Sequence, residues 1–111
     1  MFLSRAFPST LVVLFKIASP ADQAKLFEYY RPLAATATKN GKPYILSARA
    51  GPTFEDQRRQ GFTVAAVTEF KNEDDMRYYD DGCETHAKLK KFAKSVHEGA
   101  MMVYFRDVLA G

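Results

Sequence analysis

GFTVAAVTEF (residues 61–70), KNEDDMRYY (71–79) and DDGCETH (80–86) follow one another and decide how the chain folds. The first segment alternates as a strand does. Phe62, Val64, Ala66, Thr68 and Phe70 fall on one face, and Thr63, Ala65, Val67 and Glu69 on the other. The second segment opens a helix: Asn72 is a capping residue, and Glu73, Asp74 and Asp75 put negative charge where the helix dipole favours it. Met76 and Tyr79, three apart, share a face of that helix. Gly82 breaks it. A second helix starts near residues 83–85 and carries His86, Leu89, Phe92, Ala93 and Val96 along one stripe. His86 therefore falls in a first turn and points inward.

Outward from this stretch, residues 11–17 are β-branched and aromatic and read as the first strand, apolar on both faces. Ser19-Pro20-Ala21-Asp22 starts a helix, with serine as cap and proline in the first turn, where no N–H is needed. Leu26, Phe27 and Tyr30 form its buried stripe, continued by Ala34 and Ala37, with a break expected at Pro32 and a left-handed stop at Asn40-Gly41. Residues 43–50 read as the second strand, with Tyr44, Leu46 and Ala48 alternating against Ile45, Ser47 and Arg49 and with Gly51-Pro52 ending it. Residues 53–60 read as an exposed charged loop. Residues 100–109 read as the last strand, with Met101, Val103 and Phe105 on one face and Met102, Tyr104 and Arg106 on the other.

The order β-α-β-β-α-β predicts an α+β, ferredoxin-like protomer in which helices cover one face of an antiparallel sheet. Val12, Leu14, Ala65, Val67, Met102 and Tyr104 are expected on the uncovered face. Such a patch is costly to leave wet at ~25 cal/mol per Å², so a sheet-to-sheet homodimer is expected. At 111 residues the chain is one domain, residues 1–111. The net charge of +3 comes from lysines in helical patches without interleaved aromatics, which argues against a nucleic-acid partner. A single cysteine excludes an internal disulfide and slightly favours a reducing, cytoplasmic setting. No apolar run reaches the ~18 residues of a membrane span. Residues 1–10 hold one arginine, two serines and no acid, as a short lead into the first strand or a mitochondrial presequence would. No His, Cys or carboxylate spacing predicts a metal site: Cys83 and His86 are three apart, without a third ligand. His97, among Lys94, Ser95 and Glu98, is expected to be exposed.

A strand ending in "EF", an acidic helix start, "YY" and a histidine seven residues on resemble the stress-responsive A/B barrel (Dabb) family, over nearly the whole chain. The resemblance implies a ferredoxin-like unit that pairs into a dimeric α/β barrel. In a plant polyketide cyclase of that family, a tyrosine and a histidine of this stretch promote an intramolecular aldol condensation without a cofactor. Carried over, His86 is the general base and Tyr79 the hydroxyl that polarises the carbonyl. The approach to His86 is one residue longer here, which leaves Tyr78 as an alternative. Two positions depart from the pattern: Leu11 and Val64 stand where histidines occur in the family or the cyclase. The expected pocket is accordingly apolar, lined by Leu11, Val13, Phe15, Leu26, Phe27, Tyr30, Val64, Ala66, Leu89, Val103 and Phe105, and suited to a small apolar or aromatic ligand. Three functions fit these residues. They are a cofactor-free enzyme doing acid/base chemistry at a carbonyl, a non-catalytic stress-responsive or ligand-binding domain, and, by analogy of fold alone, a cofactor-free monooxygenase.

Overall fold

The computed structural model describes residues 7–110. Most of the N-terminal lead lies outside that range. Four strands form one antiparallel sheet: β1 (Ser9–Lys16), β4 (Ile45–Pro52), β5 (Val64–Phe70) and β6 (Gly99–Arg106), in the order β4-β5-β1-β6. A second pairing joins the short strands β2 (Thr38–Lys39) and β3 (Lys42–Pro43). The helices α1 (Pro20–Tyr30), α2 (Leu33–Thr36), α3 (Glu73–Asp81) and α4 (Glu84–Val96) pack on one face of the large sheet. This is the ferredoxin-like α+β arrangement.

Local chemistry explains most boundaries. The Ser19 hydroxyl accepts from Asp22 N–H at the start of α1, with Pro20 in the first turn. The Asn72 side chain accepts from Asp75 N–H at the start of α3. Pro32 separates α1 from α2, since it has no N–H to extend the helix. Asn40 and Gly41 do adopt left-handed backbone (φ 54° and 78°), but they turn the β2–β3 hairpin and do not stop a helix. That is a correction: Asn-Gly suits a two-residue hairpin turn equally well.

The core sits between the helices and the inner face of β1, β4 and β5. Leu26, Leu33, Val64, Phe70 and Leu89 are fully buried there. Burying such side chains is worth roughly 1.5–3 kcal/mol each. Leu11, Phe15 and Ala66 complete the inner face.

Two register details differ from the sequence reading. Ile45 pairs with Phe70 and Ser47 with Glu69, so a bulge at Leu46 breaks the expected alternation and leaves Leu46 exposed. The larger difference is in β6. Val12 lies opposite Val103 and Thr10 opposite Phe105, while Val13 lies opposite Met102 and Leu11 opposite Tyr104. Directly paired residues point to the same side of a sheet. Val103 and Phe105, expected inside, therefore belong to the uncovered face, and Met102 and Tyr104, expected outside, turn toward the helices. The strand is apolar on both sides, so alternation alone carries no phase; the pairing with β1 sets it. The uncovered face thus consists of Val12, Leu14, Ala65, Val67, Met101, Val103 and Phe105. As the edge strand, β6 leaves both sets half-open: Val103 is 52% exposed and Met102 50%.

Candidate active site

A cavity of about 210 Å³ opens between α4 and the β1–β6 side of the sheet. Leu11, Val13 and Phe15 form its floor, Leu89 and Ala93 its roof, and Ala100 and Met102 of the edge strand its outer wall. Tyr30, Asp80, His86, Lys90, Lys94 and His97 supply its polar atoms. The volume is somewhat larger than the ~150 Å³ that accepts a benzene ring, which suits one ring or a stretch of chain.

His86 is set by the junction of two helices. The chain leaves α3 at Gly82 and enters α4 through Cys83, so His86 stands one turn above the end of α3. Helical side chains lean toward the N-terminus, which carries its ring back over that end. There Nδ1 lies 2.7 Å from the carbonyl oxygen of Tyr79. The last carbonyls of a helix lack intrahelical partners, and a carbonyl can only accept, so Nδ1–H is the donor. Lys90, one turn further along α4, donates to the carbonyl of Asp80 in the same way. With the proton on Nδ1, the neutral ring presents the Nε2 lone pair. The hydrogen bond of the ring among the described residues is at Nδ1, none is made at Nε2, and His86 borders the cavity.

The Tyr79 ring lies flat against the imidazole, with centroids 3.5 Å apart and planes at 13°. It is 1% exposed and does not border the cavity. Burial raises the pKa of its phenol. Tyr79 thus supports His86 from behind. Tyr78 is also absent from the cavity wall: its hydroxyl donates to the carbonyl of Thr38 and its ring meets Tyr44 edge-on. Tyr30 does reach the wall, and burial keeps its phenol protonated well above the usual range.

Of the other expected lining residues, Leu11, Val13, Phe15 and Leu89 border the cavity. Leu26, Val64 and Ala66 are core, and Phe27 faces a separate open cleft beside Ala48 and Pro52, which Tyr30 also borders. Val103 and Phe105 are on the opposite face of the sheet, for the register reason given above. Cys83 is buried, away from the cavity wall. Among the described residues no cluster of three His, Cys, Asp or Glu side chains can hold a metal ion. No described helix is long and apolar enough to cross a membrane.

The sequence reading missed His97, Lys90 and Lys94. Their signal was a polar row beside the apolar stripe: from His86, which the two share, residues 90 and 94 of α4 and His97 at its C-cap follow at helical spacing. Apolarity was the guide to inward direction, and it hides a polar stripe that borders a cavity.

Burial lowers the His86 pKa from 6.5 to about 4; the Tyr79 carbonyl opposes this and Lys90 adds to it. The folded state therefore binds this proton less readily than the unfolded chain. Above pH 6.5 neither state holds it and no penalty arises. Between pH 6.5 and 4 the unfolded chain takes the proton first, and stability falls, by on the order of 3 kcal/mol in all. Chemical denaturation at pH 7 and pH 4 should show this loss, and His86→Asn should remove most of it. An equal loss in both proteins would assign the acid sensitivity elsewhere.

The model of the family described as the stress responsive A/B barrel domain matches residues 11–107. A fusaristatin A biosynthesis cluster protein from Gibberella zeae is 38% identical over 101 residues, which span 90% of this chain and 73% of that protein. Among solved structures, a hydroxynitrile lyase from Passiflora edulis superposes with a TM-score of 0.76 at 15% identity, covering 92% of this chain and 94% of that one. A dimeric ferredoxin-like protein of unknown function from Thermobifida fusca superposes with a TM-score of 0.74 at 16% identity, covering 96% of each chain.

Proposed function

The chain belongs to the stress responsive A/B barrel domain family, and we propose that it is a cofactor-independent enzyme of secondary metabolism. The substrate is an apolar, polyketide-like or aromatic molecule, and the chemistry is proton transfer next to a carbonyl. The observation that carries this reading is His86 on the wall of an apolar cavity, with its Nδ1–H bonded to the Tyr79 carbonyl and Nε2 left without a hydrogen bond among the described residues. The relative from a biosynthesis cluster and the likeness to a lyase support it.

His86 Nε2 takes the proton from the carbon beside the carbonyl, and the Tyr30 phenol donates to the oxygen that becomes an enolate. Tyr79 is a positioning residue, through its carbonyl and its ring. A base whose conjugate acid has a pKa of about 4 is unprotonated at pH 7 but weak. It suits a carbon flanked by two carbonyls, which gives up its proton far more readily than a simple ketone. The enolate so formed can attack a second carbonyl of the same chain, as an aldol cyclisation requires, and the acid form of His86 returns the proton.

The test is hydrogen–deuterium exchange at the carbon between the carbonyls of a 3,5-dioxoalkanoyl thioester. The reading expects the protein to accelerate it at pH 7. A second reading rests on a specific observation: His86 and Lys90 together satisfy the end of α3, as purely structural residues would. Under it the thioester binds, and exchange stays at the rate in buffer.

The working unit is a homodimer through the uncovered sheet face. Val12, Leu14, Val67, Val103 and Phe105 would lie in solvent in a single chain, and the edge strand β6 would lack cover on either side. Val103→Asp places a charge in the middle of this face and should convert a two-chain mass to a one-chain mass by light scattering at micromolar concentration. A wild-type protein that is already a single chain at that concentration would rule the interface out.

A further inference from the structure

We propose that His97 and Lys94 form a second polar subsite, which binds a carboxylate at the far end of an elongated apolar substrate. This rests on reading the cavity as a substrate site, and it names the class of molecule that fills it.

His97 ends α4 with extended backbone (φ −88°, ψ 148°), and its N–H still bonds the carbonyl of Ala93. The chain then turns directly into β6, and just before that strand Glu98 N–H bonds the carbonyl of Lys16. Both bonds hold the backbone that carries the ring. It packs on Phe15, with centroids 5.8 Å apart. Its Nδ1 is buried and has no partner among the described residues, although the ring borders the cavity. A buried, unpaired nitrogen is costly, and a modest turn of the ring toward the cavity it borders would let a ligand oxygen pair with it.

The charges differ at the two ends. Among the described residues Asp80 is the only carboxylate on the cavity wall, and its Oδ1 lies 3.8 Å from Lys90 Nζ. Lys94 has no acidic partner among the described residues and lies one turn before His97. On the cavity wall Lys94 therefore leaves the His97 end positive, since Glu98, next along the chain, is exposed and does not border the cavity. Between the ends runs an apolar floor of Leu11, Val13 and Phe15, ~14 Å of strand. The two histidines are separated by ~16 Å of helix. A slender chain fits that distance and the cavity's modest volume; a fused ring system does not. A carboxylate at His97 and Lys94 would also set which carbon of the chain lies under Nε2 of His86.

Calorimetry of the full chain with decanoate and with decan-1-ol tests this. The two probes share a chain and differ in the end group. Decanoate should bind about tenfold more tightly, the value of a hydrogen bond to a charged group. His97→Phe keeps a ring on Phe15 and should abolish the advantage, Lys94→Gln should reduce it, and His97→Gln should retain part of it. His86→Asn should leave it intact. Equal binding of the two probes, no binding of decanoate, or an undiminished advantage in His97→Phe would overturn the subsite. The exchange assay separates the two claims. Loss of the decanoate advantage in His97→Phe, with no proton exchange in the wild type, would keep the subsite and reject the catalysis. Exchange that depends on His86, with no decanoate advantage, would do the reverse.

Discussion

His86→Asn is expected to lower α-proton exchange of a 3,5-dioxoalkanoyl thioester by ~10²–10⁴-fold, the usual share of a general base. Asparagine is similar in size, and its amide can still donate to the Tyr79 carbonyl that closes α3. The fold and the dimer should therefore survive, and the loss can be read as loss of a proton acceptor. Ligand affinity should change little, because the apolar floor of Leu11, Val13 and Phe15 is untouched. The protonation state adds a second signature. With a pKa of about 4, the rate should stay level from pH 8 down to pH 5 and fall only as the imidazole takes up its proton. An asparagine variant that exchanges at the wild-type rate would move His86 to a structural role in the helix junction.

Tyr30→Phe should cost ~10²–10³-fold in the same assay, about the effect of removing one donor to a developing oxyanion. The phenol is suited to this because burial holds its proton in place, and because it borders the same cavity as His86. Tyr79→Phe should cost no more than severalfold. Its side chain is buried and does not border the cavity, and the carbonyl and ring that support His86 remain in the variant. This order of effects reverses the one implied by family resemblance, where the tyrosine near the histidine does the work. Comparing the two variants under the same conditions decides between them. A larger loss in Tyr79→Phe would mean that the helix junction opens when substrate binds.

The fold was legible wherever local chemistry and burial agree. The alternation of Val64, Ala66, Thr68 and Phe70 reappears as an unbroken buried row in β5. Ser19 and Asn72 cap the helices they were expected to cap. Reading failed where the residues alone carry no phase. In β6 both faces are apolar, and pairing with β1 decided that Val103 and Phe105 turn outward. In β4 a bulge at Leu46 shifted the alternation, which only the partner strand reveals. The junction that places His86 was legible from Gly82 and the two stripes flanking it. The depth of Tyr79 was not, because a buried tyrosine and a tyrosine at a cavity wall have the same helical spacing. His97 was misplaced for a related reason: polar neighbours on both sides suggested solvent, whereas its ring turns back onto Phe15.

The account stands on a neutral His86 with its proton on Nδ1 and a free Nε2 facing the ligand. Long-range ¹H–¹⁵N correlation spectroscopy of the imidazoles at pH 7 reads both nitrogens directly. The account predicts a protonated Nδ1 and an unprotonated Nε2 for His86, with the Nε2 resonance shifting when the dioxoalkanoyl thioester is added. A proton on Nε2, or an Nε2 resonance that ignores the ligand, would contradict it.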